Sequence, residues 1–292
     1  MINLKTYKVF EAETVELTPE QIEWLNQSAG SDRWKLNPKT GLVDVDGGFS
    51  TSDEGITDFK GVRFGVVTGS FSCDSNELTS LEGAPREVGK NFYCGQNVLT
   101  SLVGAPQKVG GEFDCSFNKF ITLEGAPQKV GGNFYCDHGE LVSLVGAPQE
   151  VGADFYCGHN SLTSLEGAPQ KIAGSFNCQD NNLTSLEGAP QEVGGAFNCE
   201  DNDLTSLEGA PRRISGSFVC SKNPVREVVL DRIYKLMRND RRTYYEAVSN
   251  IWNGLNDEAK ILIYRPSFDW LSPVGHKHFS TQQKYQKIKN LI

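Results

Sequence analysis

Residues 81–102 read LEGAPREVGKNFYCGQNVLTSL, and the stretch decides the fold because the chain repeats it. Cys73, Cys94, Cys115, Cys136, Cys157, Cys178, Cys199 and Cys220 all stand 21 residues apart. Phe71, Phe92, Phe113, Phe134, Phe155, Phe176, Phe197 and Phe218 keep the same step, as does Gly-Ala-Pro from Gly83 to Pro211. A fixed period of this length is the signature of a solenoid, in which each repeat stacks on its neighbours. Repeated residues then build the scaffold, and the positions that vary between repeats are the candidates for function.

Within the unit, the alternation Phe92, Tyr93, Cys94 predicts a short strand with Phe and Cys inward and Tyr outward. Stacked strands make a parallel sheet. Asn76, Asn97, Asn118, Asn160, Asn181, Asn202 and Asn223 form a second ladder, which Gly139 interrupts. A buried Asn amide can bond the loop backbone of its own and the next coil, so slack is expected at Gly139. The Gly-Ala-Pro corner supplies a turn. Twenty-one residues leave no room for a full convex helix, so extended segments or short 3₁₀ turns are expected on the back.

The core pattern Phe-x-Cys-x-x-Asn-x-Leu resembles the leucine-rich repeat motif, with Phe92, Cys94, Asn97 and Leu99 at its four marked positions. The resemblance covers roughly residues 43–225. More narrowly, it is similar to the 21-residue Leu-Glu-Gly-Ala-Pro type of leucine-rich protein seen in tailed bacteriophages. It implies an α/β-type repeat solenoid with a leucine-rich-repeat-like parallel sheet of about eight to nine rungs. An N-terminal capping segment with a short helix is expected over 1–42, the solenoid over 43–223, and a helical domain over 224–292. Thr18-Pro19-Glu20 starts the first helix, with Ile22, Trp24 and Leu25 placed to cover the sheet end. Val43 to Phe49 reads as an irregular first strand, and Val67 to Phe71 rejoins the register with one extra residue. Beyond Pro224, apolar stripes such as Val225, Val229, Ile233 and Leu236 read as helices.

Charge is uneven along the 292 residues, whose net charge is −9. Residues 68–223 carry 9 basic and 19 acidic side chains, net −10, while residues 224–292 carry 12 and 7, net +5. Nucleic acid is therefore not expected on the solenoid, and a protein partner with a basic or mixed surface is. No apolar run approaches ~20 residues, so no membrane span is expected. Equivalent cysteines of adjacent coils would lie ~4.8 Å apart with parallel side chains, whereas a disulfide needs converging ones near ~3.8 Å. The cysteines therefore read as reduced core residues, and the compartment as the cytoplasm, of the host cell if the chain is phage-encoded.

Nucleotide-binding, zinc-protease and hydrolase signatures are missing, and no Cys follows Cys220, so a non-enzymatic role without a cofactor is expected. The varying positions form two outward columns. One holds Ser72, Tyr93, Asp114, Tyr135, Tyr156, Asn177, Asn198 and Val219. The other holds Ser75, Gln96, Phe117, His138, His159, Asp180, Asp201 and Lys222. Exposed aromatics gathered on one face are the makings of a protein-binding hot spot. The expected partner site is Tyr93, Asp114, Phe117, Tyr135, His138, Tyr156, His159, Asp180 and Asp201 on a concave face. His138 and His159, flanked by acids, are also weighed as a shared metal pair, although no four-ligand set is visible. Arg238, Arg241 and Arg242 read as solvated charge, and His276 and His278 as a weak His-x-His. The resemblance implies a phage protein that binds a host factor and so inhibits host defence. A virion structural or assembly component is the alternative. An enzyme, or a nucleotide or metal binder with its site in the helical region, is a further one.

Overall fold

The computed structural model describes residues 15–224. It is a parallel β-solenoid of eight regular coils, numbered here from the coil of Cys73 to that of Cys220, with one irregular coil and a helix before them. The helical region expected over 225–292, with its arginine cluster and His276 and His278, lies outside the described residues.

Each coil makes two short strands where the sequence pattern announces one. Phe92–Tyr93 pairs in parallel with Phe113–Asp114, and so on in 21-residue register from Phe71 to Phe218. Glu87–Val88 pairs with Lys108–Val109 in a separate sheet that continues to Arg213–Ile214. We call the Val/Ile sheet the first and the Phe sheet the second. The missed strand is two residues long, and only its Val or Ile points inward, so it offers no alternation to read. No helix forms behind the sheets among the described residues of the coils, in keeping with the short repeat.

The interior is a stack of identical layers. Val88, Phe92, Cys94, Leu99 and Leu102 are all buried, as are their equivalents along the array except Leu207, which is half-buried. Burial of each large apolar side chain stabilises the fold by roughly 1.5–3 kcal/mol. Phe49 and the eight ladder phenylalanines form one column, with neighbouring ring centroids from 5.0 to 5.7 Å apart. All eight cysteines are free and buried. Their thiols serve as weak donors: Cys136 Sγ reaches Tyr156 O of the next coil at 3.3 Å, and Cys157 Sγ reaches Asn177 O at 3.4 Å.

The asparagine ladder closes the corner after the second sheet, but it faces the opposite way to expectation. Asn181 Nδ2 donates to Cys178 O and Gln179 O of its own coil and to Cys157 O of the preceding one, while its Oδ1 accepts from Leu162 N–H of that preceding coil. The repeat of four bonds recurs at Asn76, Asn97, Asn118, Asn160, Asn202 and Asn223, always backwards. At Gly139 the amide is missing. Asn160 of the next coil is half-buried, whereas the other six are buried. Phe120 stands in the leucine row of the coil whose closing amide is lost, and its larger ring is buried there.

The N-terminal end is covered as the sequence suggests, by different means in part. Helix α1, Pro19–Ala29, starts with a capping box between Thr18 and Gln21. Trp24 and Leu25 are buried, and the Trp24 ring lies edge-on to Phe49 and Phe64 at 5.2 and 6.2 Å. Ile22 does not share this role: it is exposed on the outer side of α1. Strand β1, Trp34–Asn37, pairs antiparallel with β2, Leu42–Val45, and shields the edge of the first sheet. The extra residue of the irregular coil sits in a bulge between β2 and Arg63–Val67, where Asp44 Oδ1 accepts from Val66 N–H at 2.8 Å.

Candidate partner-binding face

Two of the three outward columns beside the second sheet are the ones the sequence singles out. The residue after each ladder Phe points out of the sheet, because successive side chains alternate. The residue two after each Cys lies where the chain leaves the sheet. Its backbone is left-handed in every coil: φ is +56° at Phe117, +55° at His138, +53° at His159, +54° at Asp180 and +56° at Asp201. Such values are uncommon for any residue but Gly, and least suited to bulky ones. The stacking of coils supports them in all but the last, since each of these N–H groups from Ser75 to Asp201 donates to the next coil, as from Phe117 to Asp137 O at 3.1 Å.

Register turns these columns into ring stacks. Phe117 lies on His138 at 4.6 Å and His138 on His159 at 4.3 Å between centroids. Tyr135 lies on Tyr156 at 4.9 Å, with planes 5° apart. Phe117 is half exposed, at 50%. The tyrosines are half-buried, and their hydroxyls are tied down. Tyr135 accepts from Asn133 Nδ2 at 2.8 Å, and Tyr156 donates to Asp154 Oδ2 at 2.9 Å. Burial and Asp154 push the Tyr156 phenol up to about 12. These side chains therefore serve the scaffold as well as the surface.

Tyr93 stands apart from this group. It is two coils from Tyr135, with Asp114 between them in the same row. The three line a groove of about 440 Å³ together with Phe117, Asp74 and Asp137. Burial raises the Asp114 carboxyl above its ordinary value, although its Oδ1 accepts from Ser116 N–H at 2.9 Å. Asp74, Ser116 and Asp137 belong to a third column, one residue after each Cys, beyond the two that the sequence singles out. The signal was present: that row is Asp, Gly, Ser, Asp, Gly, Gln, Glu and Ser in coil order.

The stacked histidines do not form a metal pair. Ring nitrogens direct their lone pairs in the ring plane, so parallel rings cannot converge on one ion. Each Nδ1 instead faces a carboxylate, His138 to Asp137 at 2.6 Å and His159 to Asp180 at 2.8 Å. Among the described residues no group of three or more His, Cys, Asp or Glu is arranged to hold a metal. Further along, Asp201 lies 3.1 Å from Lys222 Nζ, and Glu200 lies 3.7 Å from it. The later acids are thus partly answered within the chain. Burial raises the thiols of Cys136 and Cys157 well above the ordinary value, which disfavours the nucleophilic thiolate there, whereas contact with Cys199 lowers that of Cys220 at the end of the ladder.

Comparison of the chain with protein-family models, with curated proteins and with solved structures returns no match. No helix of the described residues is long and apolar enough to cross a membrane.

Proposed function

We propose that the chain is a non-enzymatic interaction scaffold that binds another protein through the outer face of its second sheet, between coils 2 and 5. The observation that carries this reading is the pair of ring stacks, Phe117–His138–His159 and Tyr135–Tyr156, on one surface. Phe117 is the telling member. A bulky ring half exposed to water at a left-handed φ adds nothing to the core, and Asn or Gly would suit that backbone better. Aromatic anchors of this kind carry much of the binding energy at protein interfaces.

The likeness of the repeat to the leucine-rich type of tailed bacteriophages supports the narrower form of the reading. In that form the partner is a host factor met in the host cytoplasm, and its occupation serves the phage against host defence. The test is affinity capture from host lysate with the full chain as bait, set beside two variants. Phe117→Asn keeps a residue that accepts left-handed φ, so its stability should stay within about 1 kcal/mol of the parent. Tyr135→Ala combined with Tyr156→Ala removes the second stack and should cost about 2 kcal/mol of stability. We expect both variants to lose the captured protein. Full capture by both would overturn the assignment of this face.

A further inference from the structure

The groove on this face has a chemistry of its own. Tyr93, Asp114 and Tyr135 follow one another in a row of the second sheet. At the parallel-strand spacing the two tyrosines stand about 9.5 Å apart, which leaves about 6 Å clear between ring surfaces. Both rings are held the same way, by an Asn two residues earlier: Asn91 Nδ2 donates to Tyr93 Oη at 2.5 Å and Asn133 Nδ2 to Tyr135 Oη at 2.8 Å. Glu112 lies between these anchors, accepting from Tyr93 Oη at 3.2 Å and from Asn133 Nδ2 at 3.1 Å. Asp114 forms the floor. Gly95 lines the groove beside it. Phe117 stands at the other side.

The slot is thus walled by aromatic rings, floored by a carboxylate, and lacks a cation. No salt bridge of the described residues brings a Lys or Arg to Asp74, Glu112, Asp114 or Asp137. Four acids outside the groove, Glu150, Glu192, Glu200 and Asp201, do have a Lys or Arg in contact. The partial burial that raises the Asp114 carboxyl is the condition under which a matching cation gains most.

We infer that the Tyr93–Asp114–Tyr135 slot receives an arginine side chain of the partner polypeptide, an inference that rests on the reading of this face as a protein-binding surface. Guanidinium suits the slot in shape and in charge. It is flat, stacks on aromatic faces, and presents its edge to a carboxylate in two parallel hydrogen bonds. An ammonium group is compact and more strongly hydrated, and it uses neither wall as well. The net charge of −10 over residues 68–223 draws a basic segment to the surface, and the slot then selects among its side chains.

The test is calorimetric titration of the full chain with blocked tri-arginine peptide, blocked tri-lysine peptide and spermidine. We expect tri-arginine to bind about fivefold or more tightly than the other two, and Asp114→Asn to weaken it about tenfold. Glu150→Gln on the first sheet removes the same charge and should leave binding within about twofold. Tyr93→Leu keeps every carboxylate, should weaken tri-arginine as well, and carries the test if Asp114→Asn melts early. The slot is overturned by equal binding of the three probes, by equal loss in Asp114→Asn and Glu150→Gln, or by no binding at millimolar peptide. Failure of the wider reading looks different: partner capture would survive loss of the Tyr135–Tyr156 stack. Capture lost in that variant while tri-arginine ignores Asp114 would remove the slot alone.

Discussion

The two sheets are cut from the same coils, yet they turn opposite surfaces to water. Outside the first sheet, register sets Lys129 beside Glu150 and Lys171 beside Glu192, at 2.5 and 3.4 Å, and Arg213 on the far side of Glu192. Charge alternates from Lys129 to Arg213, so that part of the face answers itself, although Lys108 stands beside Lys129. Outside the second sheet, like stacks on like: Tyr on Tyr, His on His, with carboxylates gathered around the groove. Identical stacking geometry therefore yields a closed surface where the variable residue alternates in sign and an open one where it does not. A solenoid can carry both because its core residues occupy other positions of the repeat.

This contrast presumes a coil stiff enough to keep both faces in register, and there the largest effect is expected. Asn181→Ala leaves Leu162 N–H without its acceptor and takes one of two donors from each of Cys157 O, Cys178 O and Gln179 O. We expect a loss of roughly 3 kcal/mol in urea unfolding. Asn160→Ala, half-buried over the gap left by Gly139, should cost visibly less. Equal losses near zero would mean that the amide ladder does not hold the corner, and the comparison would lose its frame.

A smaller effect belongs to the thiols shared by both faces. Cys157→Ser should cost about 1 kcal/mol, since the shorter hydroxyl keeps Asn177 O within reach but fills less of the core. In the native chain the thiols should resist alkylation at neutral pH, and rapid labelling of several would show that the interior opens readily.

The next test separates the faces by pH. The Tyr156 phenol, raised to about 12 when folded, holds its proton longer than in the unfolded chain. Its contribution is present in full below about pH 10 and is lost as pH rises toward about 12, so stability should fall across that window. Absorbance at 295 nm should show Tyr156→Phe removing a late-ionising phenol. An unchanged titration would place that ring in water. Least of all is expected from the first face. Glu150→Gln should change stability by about 0.5 kcal/mol or less and leave partner capture intact. A loss of capture there would dissolve the distinction between the faces.

Much of this was legible in the chain because a repeat averages out local ambiguity. Eight copies of Phe-x-Cys fix which side faces inward with a certainty that one copy could not give, and the buried Phe and Cys rows bear that out. The second strand stayed hidden because Glu-Val and Lys-Val are too short to show a period. The left-handed column stayed hidden because it mixes His and Asp, which accept such backbone, with Gln96, Phe117 and Lys222, which do not favour it; the shared position in the coil sets the conformation, and local preference gives way. The outward columns themselves were readable, but their grouping was not. Tyr93 falls away from the other tyrosines and joins Asp114 and Asp74 around a groove, a relation that lies between coils and between columns at once.

The backward-facing asparagines give the array a direction in time. Among the described residues Leu78 N–H is accepted by Asn97, Leu162 N–H by Asn181, and Leu204 N–H by Asn223, in each case a residue 19 positions downstream. A coil emerging from a ribosome therefore cannot be sealed by its own residues. It waits for the amide of the coil behind it, so assembly during synthesis runs as a ratchet one turn in arrears. At Gly139 one tooth of that ratchet is missing, next to the coils whose rings form the open face.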